Sequence, residues 1–170
     1  LSKTSTYDIE FSKVRLWLLG KEKPSLFTRI IFWAGLPIWV WLFFSYLLQT
    51  LSIRMVSISA NAALIKENIR LLGESYGISD FETQYATMGM SGVFASILVI
   101  AGLILMWRQW KAGYACILIG ISACIAIPAY FLGGKFFLEE QSAWHWILPG
   151  VVLLLAMIDW VIKMRITSPR

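Results

Sequence analysis

The sequence predicts an all-α integral membrane protein: four transmembrane helices, an N-terminal amphipathic helix at the bilayer interface, and a helical extension of span one on the outer side. Three observations carry that reading. Four apolar blocks, Ile30–Ile53, Met88–Trp107, Ala112–Leu132 and Trp144–Met164, each supply the roughly 20 residues that a helix needs to cross a hydrocarbon core. Of the 170 residues, 58% are hydrophobic and 15% charged, with a mean hydropathy of +0.69, so the charges are too few to coat a water-facing surface. Basic residues collect on alternate connections, as they do when a chain is threaded through a membrane. A soluble enzyme, a disordered tail and a disulfide scaffold are excluded, and residues 1–170 are expected to form a single membrane domain.

The arm at 1–29 precedes the first span. Tyr7, Phe11, Val14 and Leu18 recur at spacings of four, three and four and, with Trp17, form an apolar stripe, while Lys13 and Arg15 lie off it. That pattern predicts a short helix lying on the inner leaflet, ended by Gly20. Residues 1–24 lack an apolar h-region, so no cleavable signal peptide is expected.

Span one, 30–53, carries an aromatic block that includes Trp33, Trp39 and Trp41, expected as a surface for packing or lipid. The outer loop, 54–87, keeps Ile58, Ala62, Ile65, Ile69 and Leu72 at heptad-like spacing, with Lys66 and Arg70 on another face. This predicts that span one continues as a helix to about Gly73, a C-terminal stop. Its apolar anchors Ile58, Ile65, Ile69 and Leu72 are candidate partner-binding residues, the alternative being that the stripe lies down on the outer lipid surface. Ser79 and Glu82 have capping-box spacing and predict a helix start leading into span two.

Spans two (88–107) and three (112–132) are joined by only Arg108–Lys111 and must form a tight antiparallel hairpin. Gly92 and Ser96 in one, and Cys116, Gly120 and Cys124 in the other, are candidate packing residues, because small side chains let helices approach closely in lipid. Both cysteines are expected unpaired: eight residues apart on one helix, they lie ~12 Å apart along its axis, beyond disulfide reach. Span four (144–164) contains Asp159, the lone intramembrane carboxylate, four residues before Lys163; an i,i+4 ion pair is expected. Pro37, Pro128 and Pro149 fall within spans and predict bends.

Orientation follows from charge. Six bases lie in 1–29, two in the 108–111 turn and three in the C-terminal tail, so eleven of the fifteen share one side; both termini are expected in the cytoplasm. Trp107, Trp110 and Trp160 are expected at the inner interface and Trp144 and Trp146 at the outer one.

Signatures of chemistry are sparse. A quinone-reducing thiol oxidase needs an outer cysteine pair, and the outer loops have none. Intramembrane haem ligation usually draws on histidines, whereas His145, the one histidine, is expected at the outer interface. A small multidrug exporter relies on a carboxylate in span one, which has none. No G-x-S-x-G, H-E-x-x-H or phosphate-binding loop occurs. Met106–Pro128, a basic turn followed by Gly-Tyr and a span ending in proline, resembles small four-span bacterial membrane proteins, a likeness that implies no activity. The amphipathic arm is similar to that of the small membrane subunit of tripartite substrate–cation symporters. That family's acidic pair after the first span is absent, and its function is not carried over.

The function expected is a non-catalytic accessory or scaffold subunit of a larger complex in a bacterial cytoplasmic membrane. Other membrane subunits and lipid are its expected partners, with nucleic acid excluded. The alternative is a lipid- or quinone-contacting subunit of an electron-transfer or transport complex; no other cofactor is predicted.

Overall fold

The computed structural model describes residues 16, 20, 24–56, 61–140 and 143–167. The amphipathic stripe of the arm, and Ile58 with the rest of 57–60, lie outside the described residues. Five helices follow one another: α1 Leu26–Val56, α2 Ala62–Ser75, α3 Phe81–Trp107, α4 Ala112–Glu140 and α5 Trp144–Thr167, with no strand among the described residues. All but α2 are long and apolar enough to cross a membrane.

The helix ends are set by local chemistry. At the start of α1, Ser25 Oγ accepts the backbone N–H of Thr28 at 3.1 Å, satisfying one of the donors that a helix N-terminus leaves open. Two helix C-termini close with the same paired bonds. After α2, Gly77 N–H donates to Glu74 O and Ile78 N–H to Gly73 O; after α3, Gln109 N–H donates to Met106 O and Trp110 N–H to Leu105 O. The pivot is left-handed in both, Gly77 at φ 73° and Gln109 at φ 61°. The stop expected at Gly73 is therefore corrected: α2 runs to Ser75, and Gly77 supplies the left-handed turn. Gly73 is small for another reason, since a Cβ there would sit 2.5 Å from Phe81 Cβ. The expected capping box does not form either. Asp80, not Ser79, precedes α3, and no side chain caps it.

α3 occupies the centre, packed on α1 and α4, and α5 closes the other side against the same two helices. The shared core holds Trp39, Leu42, Val99, Leu103, Ile117, Ile121 and Val152. α1 and α5 run antiparallel in a constant register: Thr28 meets Asp159, Gly35 lies beside Val152, and the Trp41 and His145 rings sit 5.5 Å apart. α1 continues past that last contact by 15 residues, or roughly 22 Å at 1.5 Å each.

The small residues explain how closely α3 is approached. A Cβ on Gly92 would fall 2.5 Å from the Tyr46 ring of α1, and one on Gly120 would fall 2.5 Å from Val99 and 3.0 Å from Ala95 O. Ser96 is fully buried and returns its hydroxyl proton to Gly92 O at 2.8 Å, so a polar side chain sits in the core without an unmet donor. Cys116 lies against Gly102 at the α3–α4 contact, Cys124 is buried, and both are free thiols.

α4 extends beyond the expected end at Leu132 to Glu140, across a non-helical break at Gly133 (φ 78°, ψ 155°) that glycine tolerates. Its far segment joins α2 and α3 in a second core of Phe81, Met88, Leu132 and Phe136, against which Ile69, Tyr76 and Tyr85 pack. The molecule thus has two distinct ends: a turn end, where the α3–α4 hairpin meets the start of α1 and the end of α5, and an α2 end.

Candidate functional site

The most concentrated polar chemistry lies at the turn end. Asp159 of α5 is 2% exposed. Its Oδ2 accepts from Thr28 Oγ1 of α1 at 3.0 Å and from Tyr114 OH of α4 at 2.5 Å, and pairs with Lys163 Nζ at 3.1 Å. Lys163 Nζ also donates to Thr28 Oγ1 and to Tyr114 OH, each at 2.9 Å. The network closes on itself. An ammonium has three protons to give and no lone pair; two are given to these hydroxyls, which pass their own protons to the carboxylate paired with it. Ser25 Oγ, 2.9 Å from Thr28 Oγ1, extends the chain of contacts to the cap of α1.

Chemically, this arrangement joins three helices through one neutral ion pair. Burying a lone carboxylate carries a large desolvation cost, which a partner charge and full hydrogen bonding offset. The i,i+4 pair expected from the sequence is present. Thr28 and Tyr114, which complete it, gave no local signal, because they lie 131 and 45 residues from Asp159 along the chain.

Tyr114 also forms one wall of a groove of about 270 Å³ between α4 and α5, where its ring stacks on Trp160 with centroids 6.5 Å apart. The groove's other contributors are apolar except Lys111 at its rim. A second cavity, about 470 Å³, opens between α1 and α3 toward the α2 end, lined by Arg54, Glu82 and the hydroxyls of Thr50, Thr83, Thr87 and Ser91. Among the described residues, no group of three or more His, Cys, Asp or Glu side chains gathers to hold a metal ion.

The expected aromatic surface divides. Trp33 and Trp41 are exposed on the outside of the bundle, but Trp39 is 0% exposed and belongs to the core, a correction to its assignment as surface. Its indole Nε1 has no hydrogen-bond partner among the described residues. Trp41, expected near mid-span, is level with the start of α5 through its contact with His145. Trp107, the last residue of α3, is buried against the bundle, with its ring 4.6 Å from Phe32.

The stripe on α2 is reapportioned. Ile69 packs on the chain's own second core and Ile65 is half-buried, so neither is wholly available to a partner. Leu72 is exposed, as are Leu64 and Leu71, which the spacing had not singled out. Beside them Arg70 holds Glu67 and Glu74 in a surface ion triad. The hydrogen bond from Arg70 keeps the Glu67 carboxyl below its ordinary range.

No protein-family model, curated protein or solved structure matches this chain.

Proposed function

We propose that this chain is a non-catalytic integral membrane subunit that positions a partner protein in a larger assembly. The reading rests on α2. One face of that helix is occupied by the second core, yet a separate ridge remains apolar: Leu64 is 68% exposed and Leu71, two turns on, 50%. Leu72 flanks them. α2 is not one of the four helices suited to cross a membrane, so insertion across the bilayer does not account for that ridge. Apolar anchors at i and i+7 are how a helix docks into a groove on another protein. The hydrogen-bonded junction at the turn end and the close α1–α3–α4 packing suit a rigid body that presents such a helix.

The charge distribution supports a cytoplasmic location for both termini, in a bacterial inner membrane, with α2 on the outer face. Reporter fusions at Arg170 and within 74–80 should give opposite sidedness; the same sidedness would overturn that orientation.

The subunit reading is tested by affinity purification from mildly solubilised membranes. The wild type should co-purify with a defined membrane partner. A Leu64→Asp/Leu71→Asp variant should insert normally but lose that partner. Retention of the partner at wild-type yield, or a wild type that purifies alone, would refute the reading.

A further inference from the structure

We propose that the groove between α4 and α5 binds an anionic phospholipid, with an acyl chain between the helices and the phosphate at Lys111. The inference goes beyond the subunit reading and does not depend on it.

The groove is built by helical periodicity. Tyr114, Ala115 and Leu118 follow one another at i, i+1 and i+4 on one side of α4, and Lys111, in the turn just before the helix, lies at the same end of the lining. Leu153, Met157, Trp160 and Met164 share one face of α5, over roughly 16 Å of helix. Two stripes facing each other would ordinarily interdigitate and close. Here they stay apart for a specific reason. The Tyr114 hydroxyl is held by Asp159 and Lys163, and its ring is stacked on Trp160, so the phenol cannot swing over to fill the space. Ala115 and Ala156, also in the lining, are too short to fill it. The two methionines are unbranched and adaptable, which suits a flexible chain better than a rigid ring system.

The polarity of the groove selects the ligand. Among the described residues it is apolar along its length and cationic at one end, with Lys111 the sole charged side chain in the lining and no carboxylate. Arg108, in the same turn, lies with its guanidinium 4.8 Å from the Trp110 ring centroid and adds positive potential at that end. Lys163, next to Met164 of the lining, donates to Thr28 Oγ1 and Tyr114 OH and pairs with Asp159. A molecule with an apolar tail and a negative head matches this pattern, and in a membrane that molecule is an anionic lipid.

The test uses the purified full chain in mild detergent, with phosphatidylglycerol and phosphatidylcholine of identical acyl chains as probes. Native mass spectrometry should show the wild type retaining a single phosphatidylglycerol under activation that strips phosphatidylcholine, and phosphatidylglycerol should raise the melting temperature more. Lys111→Gln should weaken phosphatidylglycerol binding about fivefold, the effect of one basic residue near a headgroup, and leave phosphatidylcholine unchanged. Ala115→Phe, which fills the groove from an exposed position, should melt like the wild type without lipid and lose retention of both lipids. Equal retention of the two lipids by the wild type would overturn the proposal. So would phosphatidylglycerol retention unchanged by Lys111→Gln or by Ala115→Phe.

Discussion

The two ends of the molecule each hold a lysine or arginine paired with carboxylates at helical spacing, yet the pairs do different physical work. At the α2 end, Arg70 bridges Glu67 and Glu74 on a surface where all three side chains are more than half exposed. Water already solvates those charges, and ordering three long side chains offsets most of the Coulomb gain. At the turn end, Asp159 is almost fully enclosed and Lys163 about a quarter exposed, and two hydroxyls from other helices complete the pair. There the ion pair is costly to place but more costly to break, because removing one partner strands the other in a poor solvent. Two motifs that look alike in sequence thus differ in consequence through burial and through what else reaches them.

Breaking the buried pair should give the largest effect. Asp159→Ala should destabilise the fold by about 3 kcal/mol in equilibrium unfolding from mixed micelles, the low end of the range for a stranded buried charge, because Lys163 retains some access to water. Replacing both members, Asp159→Leu with Lys163→Leu, should recover most of that loss. If the double variant is no more stable than the single one, the network contributes through something other than charge compensation.

Tyr114→Phe sharpens the contrast. It removes a donor to the carboxylate and an acceptor for the ammonium while keeping the ring against Trp160. A hydrogen bond to a charged group contributes about 1.5–3 kcal/mol, and a loss within that range is expected in the same assay. A neutral outcome would mean that Asp159 and Lys163 are adequately solvated without the phenol.

The closing turns offer a smaller comparison. The same pair of bonds ends α2 at Gly77 and α3 at Gln109, but a side chain in the left-handed region costs about 1–2 kcal/mol. Gln109→Gly should therefore stabilise the protein by about 1 kcal/mol, while Gly77→Ala should destabilise it. A destabilising Gln109→Gly would show that the glutamine side chain holds the turn.

Least affected should be Arg70→Ala, whose melting temperature should match the wild type within error at neutral pH and high salt. The sign of any pH effect is fixed. Because Arg70 lowers the Glu67 pKa in the folded state, the contribution is complete above the unfolded carboxylate value, about 4.3, and is lost as pH falls through the lower folded value. A clear loss of stability at neutral pH would place α2 in a less exposed setting than its surface suggests.

Much of this was legible in particular residues. The four apolar blocks fall inside the four long helices, and the 108–111 turn separates α3 from α4 as expected. Gly92 and Gly120 sit where a larger residue would collide with the neighbouring helix. The misplacements have physical reasons as well. Trp39 and Trp41 are two residues apart and so point about 200° around α1 from each other; which one faced the core depended on where α3 and α5 lie. Gly73 looked like a helix stop because glycine serves both as a left-handed pivot and as a gap for a neighbour, and only the position of Phe81 distinguishes the two.

What the sequence determined by itself is what arises locally: apolar runs long enough to span a bilayer, a four-residue connection that forces a hairpin, and an acid and a base one turn apart on α5. Helix length and i,i+4 spacing depend on neighbours along the chain. The tertiary structure alone decided that this acid and base would be buried, that Thr28 and Tyr114 would close a ring of hydrogen bonds around them, and that the tethered phenol would hold a groove open beside Lys111. These features require residues distant in sequence, on three helices, to converge at one depth, and that convergence follows from the packing of α1 and α4 on α3 and of α5 on α1 and α4, not from the local pattern of any one of them.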